Sequence, residues 1–157
     1  MKFLVLVLLI GCSGAARPPA RAATEPLPSN PHDARAQLAL RFVRAVVTRD
    51  RPRMEALVDA RGFCEAAMKV MEEKKFTSTD DCVGQMEPSN AQAMSEYEDA
   101  VPKGATIGGT DEYPIDEAKQ IYQINVEVEG ADQGLIAVMM VGLGGRPYIV
   151  FPVKKDE

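Results

Sequence analysis

The chain has 157 residues, of which 46% are hydrophobic, and 23 acids against 18 Lys or Arg give it a formal net charge of −5. This length fits one domain with one core behind an N-terminal leader. Residues 62–157 hold 18 acids against eight Lys or Arg, so most of the domain would repel phosphates, which argues against nucleic acid as a partner.

The N-terminus combines one positive residue, Lys2, with the eight apolar residues Phe3–Ile10. Such a run is long enough for a secretory signal peptide, whereas a bilayer-spanning helix needs about 20 residues. The run closes on the sequence LIGC, which ends at Cys12 and resembles the lipobox of bacterial lipoproteins. The resemblance implies that residues 1–11 are a signal peptide that is removed and that Cys12 is the mature N-terminus, carrying acyl chains.

The same resemblance predicts a location in the cell envelope. Ser13 stands where Asp would hold a Gram-negative lipoprotein at the inner membrane, which implies an outer-membrane protein that faces the periplasm. Several acyl chains, each contributing about 0.8 kcal/mol per buried methylene, would form a stable membrane anchor. The alternative is a conventional signal peptide cut at residues 14–16, which would leave a soluble secreted protein and make Cys12 incidental.

Residues 12–32 are predicted to be a disordered tether. Residues 13–32 contain five prolines and, apart from Thr24, no aromatic or β-branched residue, so they cannot bury enough apolar surface to fold. At about 3.1 Å per residue, such a chain would reach roughly 60 Å from the lipid surface. His32, the one histidine of the sequence, is interpreted as a solvated linker residue rather than a metal ligand. The single folded domain is then residues 33–157.

Apolar residues at helical spacing dominate the first half of the predicted domain. The predicted helices cover residues 33–50, 51–62, 63–75, 80–86 and 89–101, and the third could also continue the second. The first helix has Asp33 as its N-cap and Leu38 and Phe42 on its apolar face. Gly62 is expected to end the second.

After Pro102 the period of the apolar residues becomes two, which predicts β-strands. The predicted strands cover residues 122–128, 135–143 and 147–153, with residues 104–109 as a weaker candidate for an edge strand. Residues 135–143 are apolar on both faces, which is typical of a central strand. Gly144 and Gly145 suit a tight hairpin turn between the last two strands.

Helices first and an antiparallel meander second predict an α+β fold, with N-terminal helices packed on a C-terminal sheet. Together with the sequences LRFVRAVVTRDRPRMEALVD and GGRPYIVFPV, this order resembles the small NTF2-like or cystatin-like lipoproteins. The resemblance covers residues 33–59 and 118–153 and implies a curved antiparallel sheet that wraps the long helix to form a cone. Enzymes with that fold place an acid–base pair, usually Asp with His or Tyr, inside the cone.

Catalysis, a metal and a cofactor are not predicted. The apolar face of the strand that begins at Tyr122 carries no carboxylate or imidazole, and the sequence lacks the motifs GxSxG and HExxH and a glycine-rich phosphate loop. An acidic cluster lacks the EF-hand spacing, is interrupted by Pro114 and is interpreted as a solvated loop. Its members are Asp111, Glu112, Asp116 and Glu117.

Cys64 and Cys82 are predicted to form a disulfide bond, because two cysteines in an oxidising compartment pair by default. Closing a loop of this size would contribute about 3 kcal/mol in the chain-entropy model. An alternative is a soft-ligand Cu(I) site that Cys64 shares with Met68 and Met71, although methionines at helical spacing are usually core residues. A redox-active pair would normally have the spacing C-x-x-C, which these cysteines lack.

A polar stripe at helical spacing runs along the first helix and its exit. It consists of Gln37, Arg41, Arg44, Thr48 and Arg51. Arginine forks suit carboxylates and phosphates, so the three arginines are candidate residues for binding an acidic partner or lipid headgroups. The alternative is a solvated face whose arginines pair with acids of the same domain, such as Glu55 and Asp59.

Two functions are left open by the sequence. The first is a non-catalytic, lipid-anchored module that binds another envelope protein or the cell-wall layer. The second is a carrier that holds a small apolar ligand in the cone, with Phe42 inside and Tyr122 at its mouth. A cone filled by Phe42, Met139 and Met140 would favour the first function, and an open pocket would favour the second.

Overall fold

The computed structural model describes residues 25–70 and 75–152, which form an α+β domain as predicted. The helices are α1 Pro31–Thr48, α2 Arg51–Val58, α3 Ala60–Val70 and α4 Thr79–Ala100, and the strands are β1 Ile107–Asp116, β2 Ile121–Val128, β3 Leu135–Leu143 and β4 Arg146–Ile149. A short 3-10 turn, Asp132–Gly134, precedes β3. Within the described residues, every helix is too short or too polar to cross a membrane.

The four strands form one open antiparallel sheet in the order β1-β2-β3-β4. Alternate residues of β2 and β3 share one core with α1, as the period-two pattern of β2 predicts. The strand residues of this core are Ile124, Val126, Val128, Ile136, Val138 and Met140. Gly144 and Gly145 have φ angles of 58° and 77°, which explains why glycines make the turn between β3 and β4.

Helix α1 begins at Pro31, two residues before the predicted start. The side chain of Asn30, not that of Asp33, caps the helix by accepting hydrogen bonds from the backbone N–H groups of His32 and Asp33. Leu27 packs against the main core. The segment from residue 25 to residue 32, predicted as the end of a disordered tether, is therefore in contact with the domain.

The boundary between α2 and α3 falls at Asp59 rather than at Gly62. Asp59 adopts a left-handed conformation with φ 48°, which ends α2, and its Oδ1 accepts a hydrogen bond from the Gly62 N–H in the first turn of α3. A Cβ atom on Gly62 would collide with the Asp59 carboxylate. The glycine therefore permits this close approach instead of ending a helix.

The two short helices predicted between residues 80 and 101 are one continuous helix of 22 residues, α4, with Pro88 inside it. Because Pro88 has no N–H group, the carbonyl of Gly84 has no hydrogen-bond donor within the helix. This loss is the reason why the sequence predicts a break. Ser78 caps the helix, and buried contacts of Cys82 and Met94 attach it to the rest of the domain. Tertiary packing outweighs the local preference here.

Strand β1 is longer than the weak edge strand predicted over residues 104–109, and it contains three of the four acids predicted to lie in a solvated loop, Asp111, Glu112 and Asp116. Pro114 is tolerated because β1 lies at the edge of the sheet, where one row of backbone groups has no neighbouring strand. The acidic cluster is thus part of a strand paired with β2, with Glu112 opposite Ile124.

Candidate functional site

Arg41 holds the segment that precedes α1. Its guanidinium donates hydrogen bonds to the backbone carbonyls of Glu25 and Pro26, and its side chain is only 13% exposed. The Glu25 carboxylate lies 3.8 Å away. Arg41 therefore contributes to the structure of the domain, and little of its guanidinium is left for a partner.

Arg51 joins α2 to α4. Its Nη1 lies 3.1 Å from Glu98 Oε2, its Nη2 donates to the carbonyl of Ala91, and its Nε lies 3.6 Å from Glu55 Oε1. Arg51 therefore pairs with acids of the same domain, which is the alternative interpretation of the arginine stripe. Like Arg41, it is largely occupied within the domain.

Arg44 differs from both neighbours, because it is exposed and its guanidinium has no partner among the described residues. The same holds for Arg53 of α2, which sequence reasoning missed. Arg44, Arg53 and Arg41 line a shallow surface cleft of about 340 Å³, to which Glu25 and Asp50 contribute the carboxylates. Four members of the stripe line this cleft, whereas Arg51 is bonded to α4 instead. Among the described residues of the cleft, the free guanidinium groups are those of Arg44 and Arg53.

Side chains fill the space between α1 and the sheet, where a carrier would have a cone-shaped pocket. Phe42 has no exposed surface and packs edge-on against Tyr97, with ring centroids 5.2 Å apart. Met140 is also fully buried, whereas Met139 is half-buried on the opposite face of the sheet, opposite Gln123. Phe42 and Met140 therefore belong to the core, and Met139 does not help to fill this side.

Tyr122 lies under the guanidinium of Arg35, which is centred 3.8 Å from the centroid of the tyrosine ring. Nε and Nη2 of Arg35 each donate a hydrogen bond of 2.7 Å to Glu112, and His32 Nδ1 lies 3.2 Å from the same carboxylate. The hydrogen bond from Arg35 is the main reason why the pKa of Glu112 lies below its ordinary value of 4.5. These groups form a closed cluster, in which Tyr122 is a packing partner of Arg35.

A cleft of about 600 Å³ opens between residues 25–31, α1, the end of α2 and the turn from β3 to β4. Its charged groups include Arg35, Arg41 and Arg146. Arg35 is bound to Glu112, Arg41 to backbone carbonyls, and Arg146 to Asp59 at 3.0 Å. The cleft therefore presents arginines that already have partners.

Cys64 and Cys82 form a disulfide bond that joins α3 to α4, with their Cα atoms 5.9 Å apart, as predicted. Both are fully buried in a small second core, where the sulfur of Met86 lies 3.6 Å from that of Cys64. Met71 lies outside the described residues. A thiolate is needed to bind Cu(I), so this pairing argues against the copper alternative.

Little in the described residues suggests acid–base or metal chemistry. Burial raises the pKa of Tyr97 to about 12, and its hydroxyl donates to the carbonyl of Ala137 at 2.7 Å, so it stays protonated at neutral pH. Within residues 25–70 and 75–152, no group of three or more His, Cys, Asp or Glu could hold a metal ion. Cys12, the predicted lipidation site, lies outside the described residues.

No protein-family model, curated protein or solved structure matches this chain.

Proposed function

We propose that this protein is a non-catalytic, lipid-anchored protein of the cell envelope whose domain binds another protein or the cell-wall layer. The observation that carries the proposal is the filled space between α1 and the sheet, where Phe42 and Met140 have no exposed surface. A carrier would need a cavity at that place, so the packing favours a module that uses its outer surface.

The anchor is supported by the sequence LIGC at Cys12, and the length of chain between Cys12 and the domain sets the reach of the tether. Glu25 and Pro26 already contact Arg41, which leaves 13 residue steps between Cys12 and Glu25. An extended chain of that length spans roughly 40 Å, shorter than the 60 Å of the predicted tether. The proposed location is the periplasmic face of the outer membrane, because Ser13 stands where inner-membrane lipoproteins of Gram-negative bacteria carry Asp.

The proposed contact surface is centred on Arg44 of the predicted stripe and on Arg53, which lines the same cleft. Both are exposed and free of partners among the described residues, whereas Arg41 and Arg51 are bonded within the domain. Two free guanidinium groups on an otherwise acidic chain would attract carboxylates or phosphates and would mainly raise the rate of encounter.

The anchor is tested by Cys12→Ser, with Ser13→Ala as the matched control. In a Gram-negative host, Cys12→Ser should keep its leader uncleaved by the lipoprotein-specific peptidase and should be lost from the outer membrane, because the retained apolar leader holds it at the inner membrane. Ser13→Ala should be processed and remain in the outer membrane. A processed Cys12→Ser variant that stays in the outer membrane would contradict the anchor.

The contact surface is tested by cross-linking in intact cells, in which Arg44→Gln and Arg53→Gln are compared with Lys69→Gln, a change at an exposed residue of α3, as the control. The two arginine variants should keep their thermal stability and lose part of the captured partner in a salt-sensitive way. Arg41 and Arg51 are left unchanged in this test, because their substitution would also remove bonds within the domain. Equal capture by all three single variants at low and high salt would place the binding surface elsewhere.

A further inference from the structure

A third cleft, of about 490 Å³, lies where α2 and the start of α3 meet α4. From α4 it is lined by Glu87, Asn90, Ala91 and Met94, which recur at helical spacing and so share one face of the helix. From the other side it is lined by Glu55, Ala56, Val58, Asp59, Ala60 and Arg61. Its wall thus combines small or apolar side chains with a few charged groups.

Asn90 is the unusual residue of this cleft. It is 7% exposed and is the one buried polar residue among the described residues. Its side chain makes no hydrogen bond to any described residue, and its amide atoms are not shut off from solvent, so the amide is open to the cleft. An amide that is held in a largely buried side chain and faces the cleft without a protein partner can donate to or accept from a ligand there.

The charged groups of the cleft favour a cationic ligand. Three carboxylates line it against one guanidinium, that of Arg61, which donates to Asp80 at 2.9 Å. Asp59 is paired with Arg146 and Glu55 with Arg51, but the carboxylate of Glu87 has no partner among the described residues. Glu87 and Asn90 are three residues apart on α4 and therefore face the same space.

We infer that this cleft binds a primary ammonium group on an aliphatic stem. The ammonium has three N–H donors and no acceptor, so it can donate to Asn90 Oδ1 and to the Glu87 carboxylate together. Ala56, Ala60 and Ala91 leave room for a slender methylene chain beside Met94. A lysine side chain and a free alkylamine both carry this group.

Other ligand classes fit less well. An anion would be repelled by the unpaired carboxylate of Glu87, and an apolar ligand would bury the amide of Asn90 without a hydrogen bond. No hydrogen bond fixes the orientation of this amide, so its oxygen can turn toward a donor. The site is independent of both the anchor and the arginine surface, so its failure would leave the proposed function standing.

The test is a nuclear magnetic resonance titration of the full chain in non-ionic detergent. The sequence has three asparagines, so labelling asparagine with ¹⁵N gives three side-chain amide signals. Those of Asn30 and Asn125 are internal references, because both side chains accept hydrogen bonds from the protein. n-Butylammonium at constant ionic strength should shift the Asn90 signal saturably and leave the references in place, and butyrate and 1-butanol should not. No shift, or an equal shift with butanol, would overturn the site.

Variants are followed through the methyl signal of Met94, which also lines the cleft. Asn90→Leu and Glu87→Gln should each weaken n-butylammonium binding about tenfold, because each removes one charge-assisted hydrogen bond. Glu65→Gln, an exposed change on α3, should not weaken it. Unchanged binding by Glu87→Gln would overturn the site even if Asn90→Leu fails to fold. If N-acetyl-lysine methylamide binds more tightly than n-butylammonium, the ammonium group is that of a lysine in a peptide. If n-butylammonium binds more tightly, the ligand is a free amine.

Discussion

Arg35 in α1 and Glu112 in β1 form a two-point ion pair between residues 77 positions apart, with two hydrogen bonds of 2.7 Å. Both side chains are only 14% exposed. Two parallel charge-assisted bonds fix the angle between the partners as well as their distance. The pair therefore attaches the edge strand β1 to the first helix, in addition to the hydrogen bonds that β1 makes with β2.

Glu112→Gln is expected to lower the free energy of unfolding at pH 7 by about 1–2 kcal/mol, because it removes the charge from this pair. The pKa of Glu112 is lowered by folding, so its contribution is present above the unfolded value of about 4.5 and is lost as the pH falls through the folded value. Urea unfolding between pH 3 and 8 should show the variant and the wild type converging in acid.

Asp111→Asn, an exposed change one residue earlier, is the control for that experiment and should leave stability and its pH dependence nearly unchanged. A double-mutant cycle with Arg35→Gln isolates the pair itself. If Glu112→Gln and Asp111→Asn gave the same pH profile, the ion pair would not be the source of the effect.

Removal of the disulfide with Cys64→Ala and Cys82→Ala together is expected to cost about 3 kcal/mol of stability in the chain-entropy model. Reduction of the wild type should produce a similar loss, and the double variant should be insensitive to reductant. Thermal unfolding followed by circular dichroism measures both. Free alkylation of both thiols in non-reducing denaturant would show that the pair is not bonded in the mature protein.

The parts of the fold that the sequence predicts are those whose pattern is local. The alternation in β2 and the apolar face of α1 both follow from burial on one side only, and both elements are found where they are expected. The full length of strand β1 is not predicted from a local pattern, because Gly108, Gly109 and Pro114 interrupt the alternation of apolar and polar residues. Pairing with β2 determines its structure instead. One such stabilising contact is the Glu127 carboxylate, which accepts the Gly109 N–H at 3.0 Å.

The candidate site is less predictable than the fold, because it depends on contacts between distant residues. Helical spacing places Arg41, Arg44 and Arg51 on one face, but it cannot show that Arg51 finds Glu98 and the carbonyl of Ala91 on α4. Asn90 likewise looks like an ordinary polar helix residue in the sequence. Its burial without a hydrogen bond follows from how α2 and α3 meet α4, which no local pattern encodes.

Tyr97→Phe is expected to cost about 1–2 kcal/mol, because the ring packing against Phe42 is kept and the carbonyl of Ala137 loses its donor. The pKa of Tyr97 is raised by burial from 10.0 to about 12. Its neutral form therefore contributes stability that is present below pH 10 and is lost as the pH rises through about 12. Absorbance titration at alkaline pH should show the highest of the tyrosine steps disappear in Tyr97→Phe, whose stability should fall less steeply above pH 10 than that of the wild type. Loss of a different step would contradict the assignment.

Gly62→Ala and Gly84→Ala form a matched pair of helix substitutions with opposite expected signs. Both glycines lie in helices, where alanine is intrinsically better by about 1 kcal/mol. A Cβ on Gly84 meets nothing within 4 Å, so this variant should be more stable. A Cβ on Gly62 collides with the Asp59 carboxylate, which must leave both the Gly62 N–H and Arg146. Loss of such a cap costs about 1–2 kcal/mol, so Gly62→Ala should be less stable than the wild type.

The Asp59→Gly background shows whether that collision is the cause. Glycine tolerates the left-handed conformation of residue 59 and removes the carboxylate, so a Cβ at residue 62 no longer meets it. In this background Gly62→Ala should become stabilising, like Gly84→Ala in the wild type. Urea unfolding of the four chains in the cycle gives the coupling free energy directly. If Gly62→Ala destabilised both backgrounds equally, the boundary between α2 and α3 would require glycine at residue 62 for a reason other than the position of Asp59.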